Sequence, residues 1–104
     1  SVTLNAFTAT RIAPDLLQVD LSLLNRRDGG SASGLMRFVV DGRAPMVDAK
    51  PVQRRYSVYA DLDRRDYQVL LPVAAGQPVQ FCVDLIPDGS TAGAAPEQRR
   101  CESG

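Results

Sequence analysis

Short runs of alternating apolar and polar residues are the feature that most constrains the fold of this 104-residue chain. From Leu17 to Leu23 every odd position is apolar and every even one polar, and the run from Val79 to Leu85 has the same phase apart from Cys82. This period-two pattern is typical of a β-strand with one buried face. No window of about 12 residues carries an apolar stripe at helical spacing. The chain is therefore predicted to be all-β.

Five further segments bring the predicted number of strands to about seven, and the last of them is a short polar edge strand. They lie at residues 2–13, 34–40, 56–60, 67–73 and 97–102, and the last of these has a mobile tail as its alternative. Turn residues separate the segments, notably Asp41-Gly42 and Pro87-Asp88-Gly89-Ser90. Short strands at this spacing favour an antiparallel immunoglobulin-like β-sandwich in one domain, residues 1–104, with a small β-barrel as the alternative.

The two cysteines are predicted to face each other across the last pair of strands. If Ile86 lies opposite Glu97 in an antiparallel pair, the same register places Cys82 opposite Cys101. Directly opposed residues lie about 4.5 to 5.5 Å apart, within reach of a disulfide. The bond would lie on the face opposite the core, and it predicts a periplasmic or secreted protein. The alternative is two unrelated thiols in a cytosolic protein.

Composition excludes several classes of function. Twelve basic residues balance twelve acidic ones, so we expect no nucleic-acid partner. The absence of His removes Ser–His and Cys–His catalytic pairs and His-based zinc sites. No apolar run approaches the roughly 20 residues that cross a bilayer, and residues 1–9 lack the pattern of a signal peptide. We expect no enzyme activity, no cofactor and no membrane insertion.

One arginine doublet is the best candidate for contact with a partner protein. Arg54 and Arg55 have no acidic residue within five positions on either side. Tyr56 and Tyr59 follow at opposite strand parity, so one of the two rings should face outwards. Arg and Tyr are enriched at protein interfaces, and these four residues form the predicted contact surface. An exposed edge strand that adds to a partner's sheet is the alternative.

A group of three carboxylates is a weak candidate for a metal site. Asp61, Asp63 and Asp66 supply the oxygen ligands that calcium prefers. Two arginines interrupt the group and no glycine provides the sharp turn of a calcium loop, so the match is poor. A polar connection between strands is the favoured interpretation. A small ligand- or calcium-binding domain is the alternative function.

Three segments together resemble bacterial extracellular sandwich modules of the fibronectin type III and cell-adhesion-related (CARDB) kind. They are Pro14–Asn25, which ends in an Asn before a Gly-rich turn, Gly34–Gly42, and Val73–Val83. The resemblance implies a non-catalytic module of a larger exported protein, with a role in spacing, adhesion or protein contact. It implies no catalytic residues.

Overall fold

Antiparallel strands make up most of the described chain. The computed structural model describes residues 2–25, 30–59, 63–90 and 98–103. Their nine strands are β1 (Val2–Ala13), β2 (Leu16–Asn25), β3 (Ala32–Val40), β4 (Met46–Val47), β5 (Lys50–Pro51), β6 (Gln53–Val58), β7 (Arg64–Pro72), β8 (Gln80–Pro87) and β9 (Gln98–Ser103). Seven of them correspond to the predicted strands, and β4 and β5 are two-residue additions.

The strands form two main sheets and a small hairpin. One sheet has the order β1-β2-β7 and the other the order β6-β3-β8-β9, while β4 and β5 pair with each other. Every pairing is antiparallel. The predicted antiparallel immunoglobulin-like β-sandwich is confirmed, and β8 lies inside the four-stranded sheet, between β3 and β9.

Apolar side chains fill the space between the two sheets. Phe38 and Phe81 are each 1% exposed, as their strand parity predicts. Phe7 of β1 meets Phe81 of β8 edge to face, with ring centroids 5.3 Å apart, and so joins the two sheets. Tyr67, which parity also places in the core, is only partly buried and packs at its margin.

The β4–β5 hairpin is the element that the sequence does not predict. Its turn residues Asp48 and Ala49 both have positive φ, 52° and 63°. A two-residue hairpin turn needs this conformation, and Asn-Gly is the usual sequence for it. Because neither residue is glycine and each strand has two residues, neither alternation nor turn chemistry marks the hairpin. The predicted turn at Asp41-Gly42 does form, with φ of 48° and 82°.

Side-chain hydrogen bonds join the sheets along both open sides of the sandwich. On one side the Gln98 amide donates to the Val2 carbonyl oxygen (2.7 Å) and accepts from the Leu4 amide (3.0 Å). On the other side the Tyr67 hydroxyl accepts from the Ser57 amide (3.0 Å) and donates to its carbonyl oxygen (3.3 Å). Each contact satisfies backbone groups of an edge strand that would otherwise be free to pair elsewhere.

A buried amide fixes the end of β2. Asn25 is fully buried, and its Nδ2 donates to the carbonyl oxygens of Gly30 (3.0 Å) and Tyr59 (2.7 Å). Its backbone amide donates to the Asp63 carbonyl oxygen at 3.0 Å. One side chain therefore ties β2 to segments of the chain that precede β3 and follow β6.

Asn25→Ala is expected to lower the free energy of unfolding by about 2 kcal/mol, because the carbonyl oxygens of Gly30, Val58 and Tyr59 lose a donor that is itself fully buried. Urea denaturation measures the change. Gln18→Ala is the control, since among the described residues the Gln18 side-chain amide bonds only to the partly buried Asp20 carboxylate, and its effect should stay within about 0.5 kcal/mol. Equal effects of the two substitutions would contradict the role given to Asn25.

Candidate functional site

Two of the four predicted contact residues, Arg54 and Tyr59, lie where edge strands β6 and β7 face each other. β6 ends the four-stranded sheet and β7 ends the three-stranded one. We call this side the β6–β7 seam and define it by Arg54, Ser57, Tyr59, Arg65 and Tyr67. Ser57 and Tyr67 hold the two edges together, and the other residues present their side chains to solvent.

Two arginines of the seam stack on tyrosine rings. The guanidinium carbon of Arg54 lies 5.4 Å from the centroid of Tyr67, and that of Arg65 lies 5.3 Å from the centroid of Tyr59. A cation over an aromatic face is attracted to it by about 0.5–1 kcal/mol at exposed sites. Neither Arg54 nor Arg65 forms an ion pair with another described residue. The seam thus holds in place two positive charges that no described carboxylate neutralises.

Two residues of the predicted surface have other roles. Tyr56 is 2% exposed, because β6 turns Tyr56 and Val58 inwards, so its assignment as a contact residue is corrected. Tyr59 is 61% exposed and is the outward ring of the tyrosine pair. Arg55 is exposed on the outer face of the four-stranded sheet, where it pairs with Asp88. Of the four predicted contact residues, only Arg54 and Tyr59 therefore belong to the seam.

The Arg55–Asp88 pair joins β6 to the turn after β8. The Asp88 carboxylate accepts from Arg55 and from the Ser33 hydroxyl, the latter at 2.8 Å. These two donors hold the pKa of Asp88 below its usual range, with Arg55 the larger cause. Arg55 and Asp88 are 33 positions apart. A search limited to acidic residues within five positions of Arg55 therefore could not identify this pair.

Acidification should destabilise the fold through Asp88. A carboxyl whose pKa is depressed on folding stabilises the native state above its unfolded pKa, about 3.9, and loses that contribution as the pH falls through the lower folded value. The pKa of Asp66 is also depressed, first by Arg64 and then by Ser22. We therefore expect Tm to fall on acidification below about pH 4.

Asp88→Asn should make that fall in Tm smaller, because it removes one titrating group of depressed pKa. Thermal unfolding followed by circular dichroism at stepped pH measures the difference. Asp15→Asn is the control, since Asp15 is an exposed turn residue whose carboxylate forms no hydrogen bond or ion pair with another described residue. If Asp88→Asn and Asp15→Asn follow the same pH profile, Asp88 does not contribute as described.

The two described carboxylates of the weak metal candidate have separate partners. Asp61 lies outside the described residues. Asp63 accepts from the Tyr59 amide (3.3 Å), and Asp66 pairs with Arg64 (3.2 Å). Three positions along an extended chain separate Asp63 from Asp66 by about 10 Å, whereas calcium ligands lie about 2.3–2.6 Å from the ion. Residues 2–25, 30–59, 63–90 and 98–103 contain no group of three metal-ligating side chains.

A groove of about 360 Å³ crosses the outer face of the three-stranded sheet. Asp20, Asp66 and Gln68 lie in its lining. Gln18 and Gln68 donate to the Asp20 carboxylate at 3.2 and 3.1 Å, while Arg64 donates to Asp66. These carboxylates are already bound by neighbouring side chains, which makes the groove a weaker candidate for a site than the seam.

The predicted disulfide is present in the predicted register. Cys82 pairs with Cys101 across β8 and β9, with Cα atoms 4.0 Å apart. It lies on the outer face of the sheet, since the neighbouring residues Phe81 and Val83 point into the core. The predicted return strand is β9, and Glu97, expected at its start, lies outside the described residues.

Comparison of the chain with family models, with characterised proteins and with solved structures gives no match. Among the described residues there is no helix of the length and hydropathy that would cross a bilayer.

Proposed function

We propose that this chain is a non-catalytic β-sandwich module of a larger exported protein and that it binds an acidic segment of a partner protein. The observation that carries the proposal is the seam, where Arg54 and Arg65 stack on Tyr67 and Tyr59 without an ion pair to any other described residue. Tyr and Arg dominate the energy of many protein interfaces. Stacked side chains have already lost part of their conformational freedom, so ordering them on binding costs less conformational entropy.

Carboxylate groups are the chemistry that suits the seam. Two guanidinium groups present donors in a planar fork, which matches the oxygens of Asp or Glu. The exposed Tyr59 ring beside Arg65 offers an apolar surface for the stem of the same side chain. A segment of a partner protein that alternates acidic and apolar residues therefore fits the seam, and its affinity should fall as salt rises.

Two observations support a role outside the cytosol and without catalysis. A disulfide persists in the periplasm or outside the cell, and Cys82 and Cys101 are bonded. The chain has no His, and its Ser residues therefore lack the usual general base of a hydrolase. A module that spaces, adheres or binds within a longer exported protein is the role that the resemblance to fibronectin type III and CARDB modules implies.

Site-specific photocrosslinking tests the proposal. A photoreactive phenylalanine replaces Tyr59 in one variant and Ile12 in another, since Ile12 is also an exposed apolar residue, 49% exposed, on a different edge strand. Each variant is irradiated with the exported protein fraction of the source cells. We expect a discrete adduct from position 59 only. It should disappear when Arg54 and Arg65 are both replaced by Ser. The same adducts from both positions, or none from position 59, would contradict the proposal.

A further inference from the structure

Strand β9 contributes nothing to the apolar core. Gln98 is half-buried, and Arg99 to Ser103 are exposed. No residue of β9 is among the buried apolar side chains, whereas its neighbour β8 supplies Phe81, Val83 and Leu85. Removing β9 would therefore cost little buried apolar surface, and β8 would remain in the sandwich with one edge unpaired.

The attachment of β9 is polar and covalent. Its ladder to β8 runs from Gln80↔Ser103 to Leu85↔Gln98. Arg99 donates to both oxygens of Asp84, at 2.6 and 2.7 Å. The Gln98 amide bonds to the edge of β1, as described above, and the disulfide completes the set. The ladder needs only the backbone of β9, the other contacts need its Gln98, Arg99 and Cys101 side chains, and none of them needs β9 to belong to the same molecule.

The exposed edge of β8 would be specific for a strand like β9. Asp84 is 7% exposed and points its carboxylate at the position of Arg99. Cys82 stands two residues away at the position that faces Cys101. A strand that offers an Arg and a Cys at the same spacing as Arg99 and Cys101 is the best match for this edge, and a second copy of this chain carries that strand.

We propose that, before the Cys82–Cys101 bond forms or after it is reduced, β8 accepts the β9 of a second copy of this chain, and that the bond then fixes whichever β9 is in place. Exchange of identical strands between copies is a common route to dimers. In the fixing step a small-molecule disulfide oxidises the two thiols. It forms a mixed disulfide with one cysteine, the thiolate of the other attacks that cysteine's sulfur, and two molecules of the small thiol leave.

Two single-cysteine variants test the exchange. Cys82→Ser keeps only the thiol of β9, and Cys101→Ser keeps only the thiol of β8. Neither can form the internal bond. The two are mixed in a glutathione redox buffer, and the products are separated by mass. We expect a covalent dimer with one copy of each variant, linked Cys82 to Cys101 in the peptide map, whose fraction rises with protein concentration.

A charge reversal separates strand docking from random collision of thiols. Arg99→Glu in the Cys82→Ser copy sets two carboxylates together at Asp84, so the yield of the mixed dimer should fall by about tenfold or more. Asp84→Arg in the Cys101→Ser copy should restore it. Arg43→Glu in the Cys82→Ser copy is the matched control, because Arg43 lies outside β9, and it should leave the yield unchanged.

Two results would overturn the inference. One is a mixture that yields no mixed dimer at any concentration. The other is a mixed dimer whose yield does not respond to Arg99→Glu, since such a product would need no docked strand. The seam residues are untouched in all of these variants, so the outcome is independent of the proposed function.

Discussion

Gly34→Ala is expected to lower the free energy of unfolding by about 3 kcal/mol, because the added methyl group has no room. Gly34 lies in β3 between Tyr56 of β6 and Pro87 of β8. A Cβ at this position would stand 2.5 Å from the Tyr56 hydroxyl oxygen and 2.7 Å from Tyr56 Cε2, and it would also overlap the Ile86 carbonyl oxygen. Real Cβ atoms do not approach other atoms so closely.

The surroundings of Gly34 cannot relax at low cost. One of the overlapping atoms belongs to the backbone of β8, which is hydrogen-bonded to strands on both sides. The other two belong to Tyr56, a core residue that is 2% exposed. Either the β3–β8 ladder or the tyrosine ring must move, and both movements disturb packing between the sheets.

Gly30→Ala is the control for this prediction. Gly30 precedes β3, and a Cβ built there meets nothing within 4 Å. Its effect should stay within about 0.5 kcal/mol. Denaturation of both variants in urea measures the contrast, and a difference between them smaller than about 1 kcal/mol would show that Tyr56 and Ile86 do not fill the space beside Gly34.

Reduction of the Cys82–Cys101 bond is expected to lower the free energy of unfolding by about 3 kcal/mol. The two cysteines are 19 positions apart, and the bond restricts the unfolded chain by closing that loop. For a domain of this size the loss corresponds to a fall in Tm of about 15 °C. Thermal unfolding with and without reductant measures it directly.

The double variant Cys82→Ser/Cys101→Ser is the control for reduction. Its Tm should match that of the reduced protein and should not change when reductant is added. Hydrogen exchange should show that protection is lost first along β9, whose side chains add nothing to the core. A wild-type Tm that stays constant after complete reduction would contradict the stabilising role of the bond.

Alternation predicts this fold well because the sandwich buries one face of most strands. Leu17, Val19, Leu21 and Leu23 of β2 are all buried, in the phase that the sequence gives. The β4–β5 hairpin lacks that signal, since each strand has two residues and Ala49 takes a conformation more often found in glycine. The register of β9 was predictable because a single pairing places both cysteines opposite each other.

The candidate site was less accessible to sequence reasoning. Parity shows that one of Tyr56 and Tyr59 faces outwards, but only the packing of β6 shows that Tyr59 does. The stacking of Arg54 on Tyr67 joins two strands, and the pairing of Arg55 with Asp88 joins a strand to a turn that is distant in sequence. Contacts of that kind depend on how the two sheets are placed, and no local pattern encodes them.

The intact mass of the protein, purified without reductant and then treated with an alkylating agent, tests the central claim most directly. The claim is that the chain is an exported module in which the Cys82–Cys101 bond fixes strand β9 to β8. We predict a mass without any alkylated thiol, and a non-reducing peptide map that joins the peptides of Cys82 and Cys101. Two alkylated cysteines in protein never exposed to reductant would contradict the claim and would remove the main support for an exported location.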